Sequence, residues 1–397
     1  MSELLETTAT AVSDPRSIGL DPDALERLRS AVAGDIAKGL HHGAVILVAR
    51  GGQIGLHEPI GHSDLANDRP AQLADRFFLA SASKSLTAAA VLKLIDRGVI
   101  SFDTRVADVI PEFAVRGKQR VTIYHLLTHT AGTWSGFLPP PPHQWGPIIG
   151  NIAELTAAVS AQPLTGMPGE YVVYNPWADF TVLGEIIHRV DGRPFRDTLR
   201  DEILDPLGMT ESSFGLEVDH PRRVPVRMSD LAPGAAEVDI MHSFNDIIDE
   251  TAEMPAGGCF ATTRDLFKFA EMLRLGGTRE GVRVLSPAMV EYGVRNHTGT
   301  KTNQFWDFSK EARDVPDFPA NFMLFGGYSR GEGHFLTCMG HTASPSSFAG
   351  VGSGSTMWMV DPVRELTFVF LSAGLMEGLG HFQRLQRLGD LAVACAD

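Results

Sequence analysis

Cysteine is scarce in this chain. Its three copies, Cys259, Cys338 and Cys395, are odd in number and far apart, so no disulfide framework and no zinc spacing can be read from them, the pattern expected of a reducing cytoplasm. Basic charge is also in short supply. Lys and Arg number 34 against 48 Asp and Glu, a net charge of −14, and nothing supplies the positive footprint that a nucleic acid or an anionic membrane would need. Long apolar runs are missing as well: the best, Ala88 to Ile95, is interrupted by Lys93 and is too short to span a bilayer. Met1 to Arg16 carries acidic residues without an apolar stretch, so no secretory signal is expected. Internal repeats and low-complexity segments are absent too. These absences point to a cytoplasmic protein with no nucleic-acid or membrane partner, and they leave a homo-oligomer open.

What is present is ordinary globular material, 44% hydrophobic and 21% charged. A length of 397 residues suffices for two domains, or for one large domain with an insertion. Asp21 caps a helix with Pro22 at its first position, and Leu25, Leu28, Val32 and Ile36 form its stripe before Gly39. Gly43 to Arg50 and Gln53 to Ile60 read as a hairpin around Gly51-Gly52. Helical stripes then dominate: Ile152/Leu155/Val159, Phe180/Leu183/Ile187/Val190 and Phe195/Leu199/Ile203. Thr262, with Asp265 three residues on, opens a helix bearing Leu266, Phe269 and Leu273. Strand patterns return at Ser355–Val360 and Leu366–Leu371, followed by a closing helix with Phe382, Leu385 and Leu388. Strands at both ends and helices between them predict an α/β (α+β) architecture, a sheet built from both termini with a helical domain inserted. The boundaries expected are 18–105 and 261–397 for the α/β domain and 106–260 for the insertion.

The chemistry points to Ser81. It sits where the apolar run Phe77-Phe78-Leu79 passes into a helix bearing Leu86, Ala90 and Leu94, and Lys84 follows three residues later on the same face. A partly desolvated lysine can lose its charge and take the serine proton, and a helix N-terminus favours the negative charge of an attacked carbonyl. S-x-x-K by itself fits an exposed helix start with a solvated lysine equally well, so context must decide. An acyl-transfer site needs a second proton-handling group and two oxyanion donors. Pro168-Gly169-Glu170 leads to Tyr171 and Tyr174, and Gly350-Val351-Gly352-Ser353-Gly354 offers backbone that can approach a ligand closely. A packed tyrosine and a plain glycine turn explain the same residues.

The landmarks together resemble the serine β-lactamase and penicillin-binding-protein-like superfamily, above all class C β-lactamases and family VIII carboxylesterases. They run in that family's order: Gly43 to Arg50; Ser81-Ala82-Ser83-Lys84; Leu126-Leu127-Thr128-His129-Thr130-Ala131-Gly132; Pro168-Gly169-Glu170 with Tyr174; Leu204-Asp205-Pro206-Leu207-Gly208-Met209; Gly257-Gly258 with Thr262 to Leu266; and Trp358 to Pro362. The resemblance spans nearly everything from about residue 20 onward. It implies a β-lactamase/transpeptidase-like fold, with an antiparallel sheet flanked by helices, and an acyl-enzyme on Ser81. Lys84 would be the general base and Tyr174 the second proton-transfer group, with the backbone N–H groups of Ser81 and Ser353 as oxyanion hole. Trp134, Asn175, Trp177, Gly350 and Gly352 would bind the substrate, a small-molecule ester. Neither cofactor nor metal is implied.

The departures are as informative. Asn175-Pro176 stands where the family commonly has serine and asparagine after the tyrosine, which makes Tyr171 a fallback for Tyr174. Gly350-Val351-Gly352 falls where β-lactamases carry Lys-Thr-Gly and many relatives a histidine, a place His341 could fill instead. Glycine cannot hold a substrate carboxylate by charge, so the expectation is a carboxylesterase acting on small to medium neutral esters. The alternatives are a β-lactamase, a D-amino-acid peptidase, an acyltransferase, or a penicillin-binding sensor without turnover. Gly327-Tyr328-Ser329-Arg330-Gly331 matches G-x-S-x-G but lacks the strand-to-helix elbow that motif requires. His125 and His129 lack an H-E-x-x-H setting and are expected in packing or turn roles.

Overall fold

A computed structural model describes residues 12–136, 146–229, 235–332, 336–353, 356–376 and 378–396. The run of four prolines Pro139–Pro142 lies outside the described residues. Helix α1 (Pro22–Ala37) starts as the sequence predicts, with the Asp21 carboxylate accepting from the Asp23 N–H. The hairpin follows as β1 (Gly43–Arg50) and β2 (Gln53–Asp64), the second strand running four residues beyond its expected end to meet β3 (Arg69–Pro70).

The rest of the sheet comes from the last 70 residues: β4 (Tyr328–Ser329), β5 (Phe348–Gly352), β6 (Thr356–Asp361) and β7 (Leu366–Ala373). The strand order is β3-β2-β1-β7-β6-β5-β4, antiparallel throughout, and β1 pairs with β7 from Gly43 opposite Ala373 to Arg50 opposite Leu366. Both termini thus meet in the middle of one sheet. The sheet with its flanking helices gives the α/β architecture expected.

Period-2 alternation in β1 divides the core into two layers. Val45, Leu47 and Ala49 pack on one side, against helices α2 (Lys84–Asp96) and α5 (Thr263–Arg274), while Ala44, Ile46 and Val48 pack on the other, against α1 and α6 (Gly378–Val393). Because both faces are covered, β1 is an unbroken apolar run rather than an alternating one. Thr262 caps α5 through the Asp265 N–H, as the sequence predicts.

Helix α2 differs from its expected form. Leu86, Ala90 and Leu94 do not define a single buried face: every residue from Lys84 to Leu94 is buried. The alanines Ala88, Ala89 and Ala90 let α2 pass through the core with neighbours on all sides, as expected of a helix that is apolar all round. Helices α3 (Ile152–Ala161) and α4 (Ala178–Asp191) pack against each other, and α4 against α2. No helix among the described residues is long and apolar enough to cross a membrane.

Candidate active site

Ser81 lies in a single 3-10 turn, Ala80–Ser83, that precedes α2, so Lys84 and not Ser81 begins the α-helix. Ala80 enters that turn with a left-handed backbone (φ 46°), a conformation costly for a residue with a Cβ and one that persists only where the surroundings enforce it. The Leu79 N–H donates to the Cys259 carbonyl and the Ser83 hydroxyl accepts from the Cys259 N–H, which fixes the turn from both ends.

Lys84 is fully buried. Its Nζ lies 3.2 Å from Ser81 Oγ, 3.1 Å from Tyr174 OH, 3.0 Å from the Pro176 carbonyl and 2.9 Å from the Ala256 carbonyl. Tyr174 OH stands 2.5 Å from Ser81 Oγ, closing the triangle. Burial pushes the lysine down from 10.5 to about 7, opposed by the negative charge of Asp179. The same desolvation pushes the Tyr174 phenol up to about 12, opposed by its bond to Ser81. At neutral pH a large share of the amine is therefore neutral while the phenol keeps its proton. A neutral amine that donates to the two carbonyls has a lone pair left to accept the Ser81 proton.

Tyr174 is set by its surroundings: its ring packs against His129, Phe305 and Phe322, and its backbone N–H donates to Asn303 Oδ1. Tyr171, the fallback, is 46% exposed on the surface and makes no contact with Ser81. Gly326 is a residue that sequence reasoning missed. It has φ +63°, and a Cβ there would meet Lys84 Cβ at 2.7 Å, so that contact requires glycine.

Ser81 and Tyr174 open onto a cavity of about 310 Å³. Trp177, Phe244, Phe305, Phe308 and Phe382 line it together with four methionines, Met228, Met241, Met254 and Met376. No Asp, Glu, Lys or Arg belongs to the described lining. His381 does, and burial holds it down at about 3, as a neutral ring. The lining methionines and phenylalanines come from segments scattered between Phe78 and Phe382, and no periodicity could have united them.

Other expected site residues divide. Trp177 lines the cavity, its ring edge-on to Phe244, and Ser353 lines it directly after β5. Trp134 is not among the described lining residues; its carbonyl accepts from the Asn175 amide. Asn175 is not among the described lining residues either. It is buried inward, its amide donating to Thr133 Oγ1 and the Trp134 carbonyl, and its Oδ1 accepts the Trp177 and Ala178 N–H groups at the start of α4. All its hydrogen-bonding capacity is spent on the fold.

Gly350 and Gly352 belong to strand β5 and are not among the described lining residues, although Val351 and Ser353 beside them are. A Cβ on Gly350 would lie 2.2 Å from Trp358 Nε1, and one on Gly352 would lie 2.1 Å from the Leu79 carbonyl. Their bare backbones let β5 lie against the Ser81 turn. His341 is outside the described cavity lining, near Asp390. Ser329 sits on β4, its hydroxyl donating to the Val294 carbonyl, with no elbow. His125 shares a capping box with Thr122. The three cysteines are buried free thiols, and among the described residues no His/Cys/Asp/Glu group is placed to hold a metal.

An antiparallel sheet with helices on both faces, and a serine, a lysine and a tyrosine converging at the foot of its central helix, define the β-lactamase-like class. The beta-lactamase family model matches residues 28–389, and the chain belongs to that family. Protein Rv1367c of Mycobacterium tuberculosis is 27% identical over 362 residues, covering 84% of this chain and 86% of that protein. Esterase EstB of Burkholderia gladioli is 32% identical over 220 residues, covering 52% of this chain and 56% of the esterase. Among solved structures, a penicillin-binding protein homolog from Caulobacter crescentus superposes with a TM-score of 0.76 at 25% identity, over 95% of this chain and 99% of that one.

Proposed function

We propose that this member of the family is a serine hydrolase, a carboxylesterase that cleaves small to medium uncharged esters through an acyl-enzyme on Ser81. The observation that carries the reading is the triangle of Ser81 Oγ, Lys84 Nζ and Tyr174 OH, with the amine buried deeply enough to be half neutral near pH 7. Lys84 takes the Ser81 proton as Oγ attacks the ester carbonyl. The oxyanion is held by the backbone N–H groups of Ser81 and Ser353. Lys84 then returns the proton through Tyr174, whose phenol gives its own proton to the departing alkoxide and receives the one from the ammonium. Water enters, loses a proton to the same pair, and releases the acid, regenerating Ser81.

The cavity favours an ester over a penicillin. A penicillin carries a carboxylate that is held best by a cation, and the described lining offers apolar side chains, neutral hydroxyls such as Ser309, Tyr328 and Ser353, and a neutral imidazole, but no Lys or Arg. The relative named as an esterase supports the same choice. A sensor without turnover would have no use for all three proton-handling groups.

The experiment is a pair of assays on the full chain. Nitrophenol release from short acyl esters is expected, with loss of activity in Ser81→Ala. A chromogenic cephalosporin opened at a comparable rate would replace the ester reading by the lactamase one. Stable covalent labelling without turnover of either substrate would replace it by the sensor.

A further inference from the structure

Behind Tyr174 lies a second buried polar group that the mechanism above does not use. His129 and Asp179 are 2% and 1% exposed, and His129 Nδ1 stands 3.3 Å from Asp179 Oδ2. Thr133 Oγ1 donates to the other carboxylate oxygen. Asp179 also falls in the first turn of α4, where unpaired N–H groups favour negative charge. The Asn175 N–H donates to the same Nδ1 at 3.2 Å, and Nε2 is buried without a partner. Nδ1 serves its two neighbours in different tautomers: with a proton it donates to the carboxylate, and without one it accepts from the Asn175 N–H. His129 itself has a left-handed backbone (φ 55°), held in place by the contacts around it.

The pair is tied to both proton-handling residues. The His129 ring lies 4.8 Å from the Tyr174 ring, and the His129 carbonyl accepts from the Val173 N–H. Two residues past Tyr174, the Pro176 carbonyl holds Lys84 Nζ. We propose that Asp179 is a positioning residue, whose carboxylate, held by Thr133 and set against His129, balances the charge of Lys84 and, through His129, places Tyr174. This rests on the reading of Ser81 as nucleophile and Lys84 as base.

The described titratable groups around Lys84 are Tyr174 beside it, His129 on the preceding loop and Asp179 on α4, and Asp179 is the one that draws its charge state upward. Asp179 in turn is felt by His125 and His129. Desolvation alone would strip the amine of its proton affinity and leave a poor base, because a general base works best when its pKa lies near the working pH. Asp179 directly precedes Phe180, whose ring centroid lies 5.5 Å from Lys84 Nζ, and a buried carboxylate there offsets that loss without touching the substrate.

The test is the pH dependence of Ser81 labelling by a nitrophenyl phosphonate, followed by intact mass, in wild type, Asp179→Asn and Asp179→Glu. Labelling needs no knowledge of the natural ester. The Asn variant removes the charge at nearly constant shape, and its acid limb is expected to move down by ~0.5–1 pH unit, with a several-fold lower plateau. The Glu variant keeps the charge, and its limb should stay at the wild-type position even if the plateau falls. A limb that stays put or moves up in the Asn variant overturns the proposal. If that variant does not fold, Asp179→Ser is read in the same way; a chain that folds only with an acid at 179 makes the role structural and also overturns it. Failure of the wild type to label at Ser81 removes the premise itself, which is a separate and recognisable result.

Discussion

Lys84 Nζ and Tyr174 OH, 90 residues apart in sequence, stand 3.1 Å from each other at the foot of a buried helix. Burial drives them in opposite directions, the amine down to about 7 and the phenol up to about 12, because it disfavours the charged form of each. One group is thereby suited to accept a proton at neutral pH and the other to hold one until a leaving group asks for it.

This sets the pH profile. The base must be neutral, so kcat/KM for ester cleavage should rise with pH through about 7 and level off above it. No alkaline fall assignable to Tyr174 should appear below about pH 11, since the phenol ionises near 12. A profile that peaks near pH 7 and falls by pH 9 would show that some other group controls the reaction.

Tyr174→Phe keeps the ring among His129, Phe305 and Phe322 and removes the hydroxyl alone. Ester turnover is expected to drop by ~10²–10⁴-fold, with thermal unfolding near that of wild type. Tyr171→Phe, at the exposed position, should leave turnover within about twofold, as surface changes away from a site usually do.

Lys84→Met should abolish turnover and at the same time raise Tm by roughly 2–4 °C, because a fully buried amine is a stability cost kept for function. The sign follows from linkage. Between about pH 7 and the unfolded value of 10.5, the unfolded chain binds the proton that the folded amine has lost, so this group's contribution to stability grows as pH rises through that window. The variant should lack that slope, which differential scanning calorimetry at pH 7 and 10 would show.

Gly326→Ala puts a Cβ within 2.7 Å of Lys84 Cβ at a backbone φ of +63°. A loss of ~1–3 kcal/mol in denaturant unfolding is expected, together with a fall in kcat as Lys84 is displaced. An unaltered midpoint would mean that the 326 backbone relaxes freely.

Asn175→Ala should cost stability, ~1–3 kcal/mol, because it strands the Trp177 and Ala178 N–H groups at the start of α4. Unchanged stability with a raised KM would instead restore Asn175 to the substrate cavity.

Local patterns in the chain determined a great deal: the Asp21 and Thr262 caps, the β1–β2 hairpin, the two strands of the last hairpin, and the S-x-x-K step. Each rests on interactions between residues a few positions apart, which is why they were legible. Other features were not. Strand β5 was hidden because Gly350 and Gly352 carry no strand propensity; they are there for close approach to the Ser81 turn, a tertiary requirement. Asn175 looked like a ligand residue and is a helix cap whose partners include Thr133 and Trp134, 42 and 41 residues away. Above all, nothing in Ser81-Ala82-Ser83-Lys84 says whether the lysine is wet or dry. That was decided by folding, which brought Pro176, Ala256, Tyr174 and Asp179 around one amine, since desolvation and charge depend on what lies within a few ångströms in space and not on spacing along the chain.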